Sequence, residues 1–181
     1  MDHDDHVKLL RPANLSPGGV WADLGAGRGA FTLALRELVG PGAHIYAVDR
    51  DHQALTSLSA AFEARFDSTA NLHLIHADFM GPLKLPSLDG LVMANSLHFH
   101  RDHAAVISRA ARLLSWYGVF LLVEYNVDRG NPWVPHPLSF EAYRQMALKA
   151  GLREPRLLAT APSSFLGEFY AALACKEIGG V

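Results

Sequence analysis

The 181-residue chain predicts an α/β fold: a doubly wound, mostly parallel sheet with helices on both faces and an antiparallel last strand. Three observations predict it. Apolar runs of strand length alternate with stretches of helical spacing. The first strand-like run opens into "LGAGRG", residues 24–29, a glycine turn where such a sheet places its ligand. The last two strand-like runs are separated only by "APSSFLGE", too short for a crossover helix, so they should pair as an antiparallel hairpin.

Each element has its own signal. Val20–Leu24 reads as a first buried strand after the turn "SPGG". Ala30–Val39 has helical spacing and stops at Gly40-Pro41. Ile45–Val48 is a second strand, and Asp51 caps a helix running to Phe66 with Leu55, Leu58, Ala61 and Phe62 on one face. Leu72–Ile75 is a third strand, followed by the proline- and glycine-rich loop "FMGPLKLPS" in place of a helix. Leu88–Ala94 is a fourth strand, and Asp102 caps a helix through Leu114. Val119–Val123, nearly all apolar, suits a strand covered on both faces. A long loop, "NVDRGNPWVPHPL", precedes a helix capped by Ser139 and ended by Gly151. Strand runs at Arg156–Thr160 and Phe169–Ala174 close the order.

Composition narrows the function. A chain of this length suits one domain, residues 1–181, and a half-hydrophobic composition excludes general disorder. Sixteen basic against eighteen acidic residues leave a net charge of −2, unlike a strongly basic nucleic-acid binder. The polar, acidic start "MDHDDHVKLL" is the wrong chemistry for a signal peptide, and at an exposed terminus it reads as mobile. Apolar runs such as "GVFLLV" are too short to span a bilayer, so no membrane partner is expected. The single cysteine, Cys175, forms no internal disulfide, which suits a cytoplasmic setting.

The glycine turn poses the functional question. Gly25, Gly27 and Gly29 permit close approach to the backbone, and Ala26 lies between the first two. Gly25-x-Gly27-x-x-Ala30 with Asp49 further on satisfies a loose dinucleotide fingerprint. Asp23 weighs against it: a carboxylate beside the turn repels a pyrophosphate and attracts a cation. S-adenosylmethionine carries an ammonium and a sulfonium and no phosphate. The following strand tips offer more of what such a nucleoside needs. Asp49 can accept from both ribose hydroxyls, and Asp78 from an adenine amino group. Phe79 or Arg50 can cover the ring, and Asn95 sits where the aminoacyl end would lie. Four successive strand tips thus offer groups to one ligand.

On these residues the chain resembles the class I S-adenosylmethionine-dependent methyltransferases. "VWADLGAGRGAF" resembles that family's first motif, "YAVDRD" its acidic ribose contact and "HADF" its adenine contact. "LDGLVMANSLHFHRD" resembles the fourth-strand motif, and "ARLLSWYGVFLLVEY" the segment where relatives usually read "LKPGG", with Trp116-Tyr117-Gly118 in that turn. The resemblance implies one class I methyltransferase domain of seven strands, the last antiparallel. It implies S-adenosyl-L-methionine as cofactor, with no specific acceptor.

Methyl transfer needs alignment and, for some acceptors, a base. His98 is the candidate catalytic residue, ahead of His100, because both follow the fourth strand tip. Glu124 and Tyr125 end the fifth strand on the acceptor side. His98, His100 and His103 lack a convincing fourth metal ligand, so no metal site is expected. About twenty residues precede the first strand, room for one short helix and no sizeable lid. The acceptor side is therefore expected to be open, or closed by residues 126–138, with Gly130 as hinge and Trp133 as cover, or by the second subunit of a homodimer. A small-molecule acceptor is the first expectation, with RNA or protein as alternatives. The rival readings are a non-catalytic methyltransferase-like binding module and an NAD-dependent oxidoreductase.

Overall fold

The structure is a computed structural model and describes residues 1–176. Seven strands form one sheet: β1 (Val20–Leu24), β2 (His44–Asp49), β3 (Leu72–His76), β4 (Leu88–Ala94), β5 (Leu114–Tyr125), β6 (Arg156–Pro162) and β7 (Glu168–Cys175). Their order is β3-β2-β1-β4-β5-β7-β6. β7 alone is antiparallel to both neighbours, so the closing hairpin forms as its short connection requires. The order reverses between β1 and β4, which opens a crevice at the carboxyl ends of the strands.

Five helices cover the sheet: α1 (His3–Leu10), α2 (Ala30–Val39), α3 (His52–Phe66), α4 (His103–Leu113) and α5 (Phe140–Lys149). Alternate residues of the central strands feed two cores. Val92, Leu121, Val123 and Ala171 pack with Leu10, Phe31 and Leu35 of α1 and α2. Leu91, Met93, Phe120, Leu122 and Ala172 pack on the other face with Ile107 and Tyr143 of α4 and α5. Each fully buried Leu, Val or Phe contributes about 1.5–3 kcal/mol by leaving water. The predicted caps form: Asp51, Asp102 and Ser139 accept from backbone N–H groups of the first turns of α3, α4 and α5.

Two segments differ from the sequence expectation. The acidic N-terminus is ordered rather than mobile. Asp2 and Asp5 form a reciprocal capping box on α1, and Val7, Leu9 and Leu10 are buried against the sheet assembly. Trp116-Tyr117-Gly118 lies inside β5 rather than in a turn before it, at a register shift against β4. Tyr117 takes φ +66°, left-handed backbone that costs a bulky residue about 1–2 kcal/mol. Its side chain is 67% exposed and returns little by burial. Tyr117→Gly removes that strain while adding about 0.4–1 kcal/mol of unfolded-state freedom. The expected net gain is about 0.5–1 kcal/mol, a rise in Tm of about 1–4 °C by calorimetry. A lower Tm would mean that the tyrosine ring itself holds the bulge.

Candidate functional site

The turn after β1 is tied to its neighbours by backbone geometry. Gly25 and Ala26 donate to the Val48 carbonyl at 2.8 and 3.0 Å, which lays the turn beside the tip of β2. A Cβ on Gly25 would meet Ser96 Cβ at 2.4 Å, so only glycine lets β1 approach the tip of β4 this closely. Ser96 Oγ locks that approach by donating to the Leu24 carbonyl at 2.8 Å. Gly27, at φ +53°, has no protein atom within 4 Å of where a Cβ would stand, because it faces open space. Gly29 differs. It caps α2 at φ +90°, and its missing Cβ makes room for Leu58 at 2.6 Å, outside the cavity wall.

The turn borders a cavity of about 620 Å³ at the carboxyl ends of β1, β2, β3 and β4. Asp23, Asp49, Asp78 and Asn95 line it, one from each strand tip, with Gly25, Ala26, Gly27, Arg50 and Phe79. Asp49 Oδ2 accepts from Gly27 N–H at 2.7 Å and Oδ1 from Asp51 N–H at 2.8 Å, so the carboxylate braces both loops. Each oxygen keeps a further lone pair. Asp78 Oδ1 accepts from Met80 N–H at 2.8 Å. Arg109 of α4 donates to the Phe79 carbonyl at 2.8 Å, fixing the helix-free β3–β4 connection. The Phe79 ring stands 5.0 Å from His100.

Two groups are polarised in ways a bare turn would not need. Asp23 is buried and accepts from Thr32 Oγ1 at 2.6 Å. Burial pushes its carboxyl up to about 7, opposed by the Thr32 hydrogen bond and reinforced by the Asp49 charge. Asn95 Oδ1 is buried without a hydrogen-bond partner among the described residues, on backbone held at φ +53°. An orphaned acceptor and a buried carboxyl on one wall suit a ligand bearing a cationic N–H group. These acceptor oxygens fit the N–H and O–H groups that the ammonium, ribose and adenine of S-adenosylmethionine would donate.

His98 does not line this cavity. It lies in a single 3-10 turn, Leu97–Phe99, and is 3% exposed. Its Nδ1–H donates to the fully buried Glu124 carboxylate at 3.0–3.1 Å. Glu124 also accepts from the backbone N–H of His98 at 3.1 Å and of Tyr125 at 3.2 Å. The carboxylate, which can only accept, selects the Nδ1–H tautomer and leaves Nε2 as an acceptor. Nε2 has no hydrogen-bond partner among the described residues, yet it is not one of the fully enclosed polar atoms. His100 does line the cavity, and burial lowers its pKa. His103 is occupied by the His136 carbonyl at 2.9 Å. Among the described residues no group of three metal-binding side chains is assembled.

Sequence reasoning missed several wall residues: His6 of α1, Ser96 and Phe99. His6 gave no signal, because its place depends on the capped helix that sets it 4.8 Å from Phe31. Residues 126–138 are pinned rather than hinged. His136 N–H donates to the His98 carbonyl at 3.1 Å, and a Cβ on Gly130 would meet the Val134 carbonyl at 2.1 Å. Gly130 serves close packing. Trp133 points outward, 69% exposed.

Comparison with known proteins agrees with this geometry. A family model described as "Methyltransferase domain" matches residues 22–122, more than half of the chain. The ribosomal RNA small subunit methyltransferase H of Paracidovorax citrulli is 36% identical over 58 residues, spanning 32% of this chain and 19% of that protein. The chain therefore covers about a fifth of that curated relative. Among solved structures, the YcgJ protein from Bacillus subtilis superposes with a TM-score of 0.78 at 14% identity, covering 98% of this chain and 100% of that one. Magnesium protoporphyrin IX methyltransferase from Synechocystis, with bound S-adenosylhomocysteine, gives 0.74 at 16% identity over 97% and 81%. Human N-acetylserotonin methyltransferase, in complex with S-adenosylmethionine, gives 0.71 at 20% identity over 96% and 52%. No helix among the described residues is long and apolar enough to cross a membrane. The chain belongs to the methyltransferase domain family, on the class I fold whose cofactor is S-adenosylmethionine.

Proposed function

We propose that this chain transfers a methyl group from S-adenosylmethionine to a small or medium-sized acceptor. The convergence of four strand tips on one cavity carries the reading. Bound there, the cofactor supplies a methyl carbon activated by its sulfonium for in-line displacement. Asp23 and Asn95 hold the aminoacyl end, and Asp49 accepts from the ribose hydroxyls. Asp78 receives the adenine amino group, while Phe79 and Arg50 cover the ring. The Gly25–Gly27 backbone gives the cofactor room. Gly29 shapes the turn by making room for Leu58.

His98 acts as the base. Glu124 holds its Nδ1–H, so Nε2 takes the acceptor's proton and the buried carboxylate stabilises the imidazolium that results. The RNA acceptor named for one relative has little support here, since the net charge of −2 offers no basic footprint.

Isothermal titration tests the reading. S-adenosylhomocysteine should bind at about micromolar strength, and NAD should not. NAD binding without a response to S-adenosylhomocysteine would sink it.

Asp23 adds a pH dependence. With its carboxyl at about 7 in the folded chain against 3.8 in model peptides, the folded state holds an extra proton between those values. Its contribution to stability is full below pH 3.8 and is lost as pH rises through about 7. The ammonium requires the ionised form. Affinity for S-adenosylhomocysteine should therefore increase from pH 6 to pH 7.5, with proton release on binding, and Asp23→Asn should flatten the profile. A flat profile in the unmodified protein would place the ammonium elsewhere.

A further inference from the structure

A second cavity, of about 400 Å³, lies at the opposite end of the sheet from the first, at the amino ends of β1 and β4. β5 borders it where its pairing to β4 breaks. Leu88 pairs with Leu114 and Gly90 with Val119, so Ser115–Gly118 stand opposite Asp89 alone. That bulge sets two large rings on the cavity wall, Trp116 at 59% and Tyr117 at 67% exposed. A third ring reaches the wall from β1. Trp21 is buried, its indole N–H donates to the Gly18 carbonyl at 2.9 Å, and its ring lies across Gly90, where a Cβ would meet it at 2.2 Å. The same wall carries a carboxylate. Asp89 Oδ2 accepts from the Val20 N–H at 2.8 Å, and Oδ1 has no hydrogen-bond partner among the described residues. Packing does not account for the outer rings. Tyr117 holds left-handed backbone that glycine would adopt without strain, and its exposed ring gains little from the protein in return.

From this arrangement we infer a second binding site, for an organic cation whose nitrogen carries alkyl groups in place of N–H. Aromatic faces are negative, so three rings beside a carboxylate attract positive charge. Among the described residues Asp89 is the sole charged side chain of the wall, so an anion would meet repulsion and no counter-charge. The site also separates one kind of cation from another. A primary ammonium gives up three hydrogen bonds on leaving water, and one free carboxylate oxygen cannot replace them. A fully alkylated nitrogen has none to lose, and its methyl groups meet the rings as apolar surface. Lys176 shows the attraction within the chain. Its Nζ stands 5.4 Å from the Trp116 ring centroid while donating to the Leu114 carbonyl at 2.6 Å. Lys176 is not part of the cavity wall, and Trp116 remains exposed beside it. This cavity shares no residue with the cofactor cavity, so the inference stands apart from the cofactor assignment.

The test uses the full chain and three probes at constant ionic strength: choline, its neutral isostere 3,3-dimethyl-1-butanol, and ethanolamine, which keeps a primary ammonium. Binding is followed by nuclear magnetic resonance at the indole N–H groups of Trp21, Trp116 and Trp133, assigned with Trp116→Phe and Trp133→Phe. Choline should shift Trp21 and Trp116 saturably, with a Kd of about 1 mM or below, and leave Trp133 in place. The neutral isostere and ethanolamine should each bind at least about tenfold more weakly. Tyr117→Gly, expected above to be the more stable chain, should weaken choline by about threefold or more. Asp89→Asn keeps an amide oxygen for the Val20 N–H and loses the charge, so it should weaken choline by about tenfold. Equal binding of the neutral isostere or of ethanolamine overturns the inference. So does a choline response absent from Trp21 and Trp116, or one indifferent to both variants. The probe comparison is made in the unmodified chain, so a variant that failed to fold would not protect the inference.

Discussion

Asp49→Ala should weaken S-adenosylhomocysteine by a hundredfold or more while the chain stays folded. A hydrogen bond to a charged acceptor contributes about 1.5–3 kcal/mol, roughly 10- to 140-fold in affinity. The ribose presents two hydroxyls. The variant loses more than those contacts, because Asp49 also receives the N–H groups of Gly27 and Asp51 at 2.7 and 2.8 Å. Without the carboxylate, the glycine turn and the start of α3 are no longer held against each other, and the cofactor must order them on binding. Asp49→Asn separates the two effects. It keeps one acceptor oxygen but turns an amide N–H toward one of the two backbone donors, so its loss should be intermediate. Calorimetric titration of both variants, with thermal unfolding as a folding control, checks the expectation. A folded Asp49→Ala chain that binds within twofold of the unmodified protein would remove the ribose from this strand tip.

The sheet was legible because its signals are local. The strand spans, caps and closing hairpin each follow from a few adjacent residues, and the strand tips follow from the spans. The cavity wall was legible for the same reason at Asp23, Asp49, Asp78 and Asn95, all within a residue or two of a strand end. What escaped depends on contacts between distant segments. Glu124 meets His98 because β4 and β5 pair in the register Ala94 to Val123, which no single motif specifies. Gly29 looks like the third member of a ligand-binding triplet, yet Leu58, 29 positions along the chain on another helix, is what requires it. Tyr117 occupies a left-handed position inside β5, at the register shift against β4, where the family resemblance implied a turn. The acidic N-terminus reads as mobile by composition, whereas its capping box and three apolar residues order it.

The pairing that sequence did not show makes the second large effect specific. With an acceptor that must lose a proton, His98→Ala should lower turnover by about 10²–10⁴, the range for a lost general base, with cofactor affinity within about twofold. Glu124→Gln should lower turnover at least about tenfold. Its single amide oxygen cannot satisfy the His98 ring and the two backbone N–H groups that the carboxylate now serves, and its own N–H group opposes one of them. If the two side chains work as one unit, the double variant should be no slower than His98→Ala, because the carboxylate acts only through the ring. Acceptor acidity provides the decisive control. An acceptor already ionised at the assay pH needs no base, so His98→Ala should cost it far less than it costs an acceptor that is still protonated. A purely structural histidine would slow both acceptors alike, since loss of packing around Phe99 and Tyr125 does not depend on the proton of the substrate. Equal losses with the two acceptors would therefore remove His98 from the proton's path, even if turnover fell by the full amount.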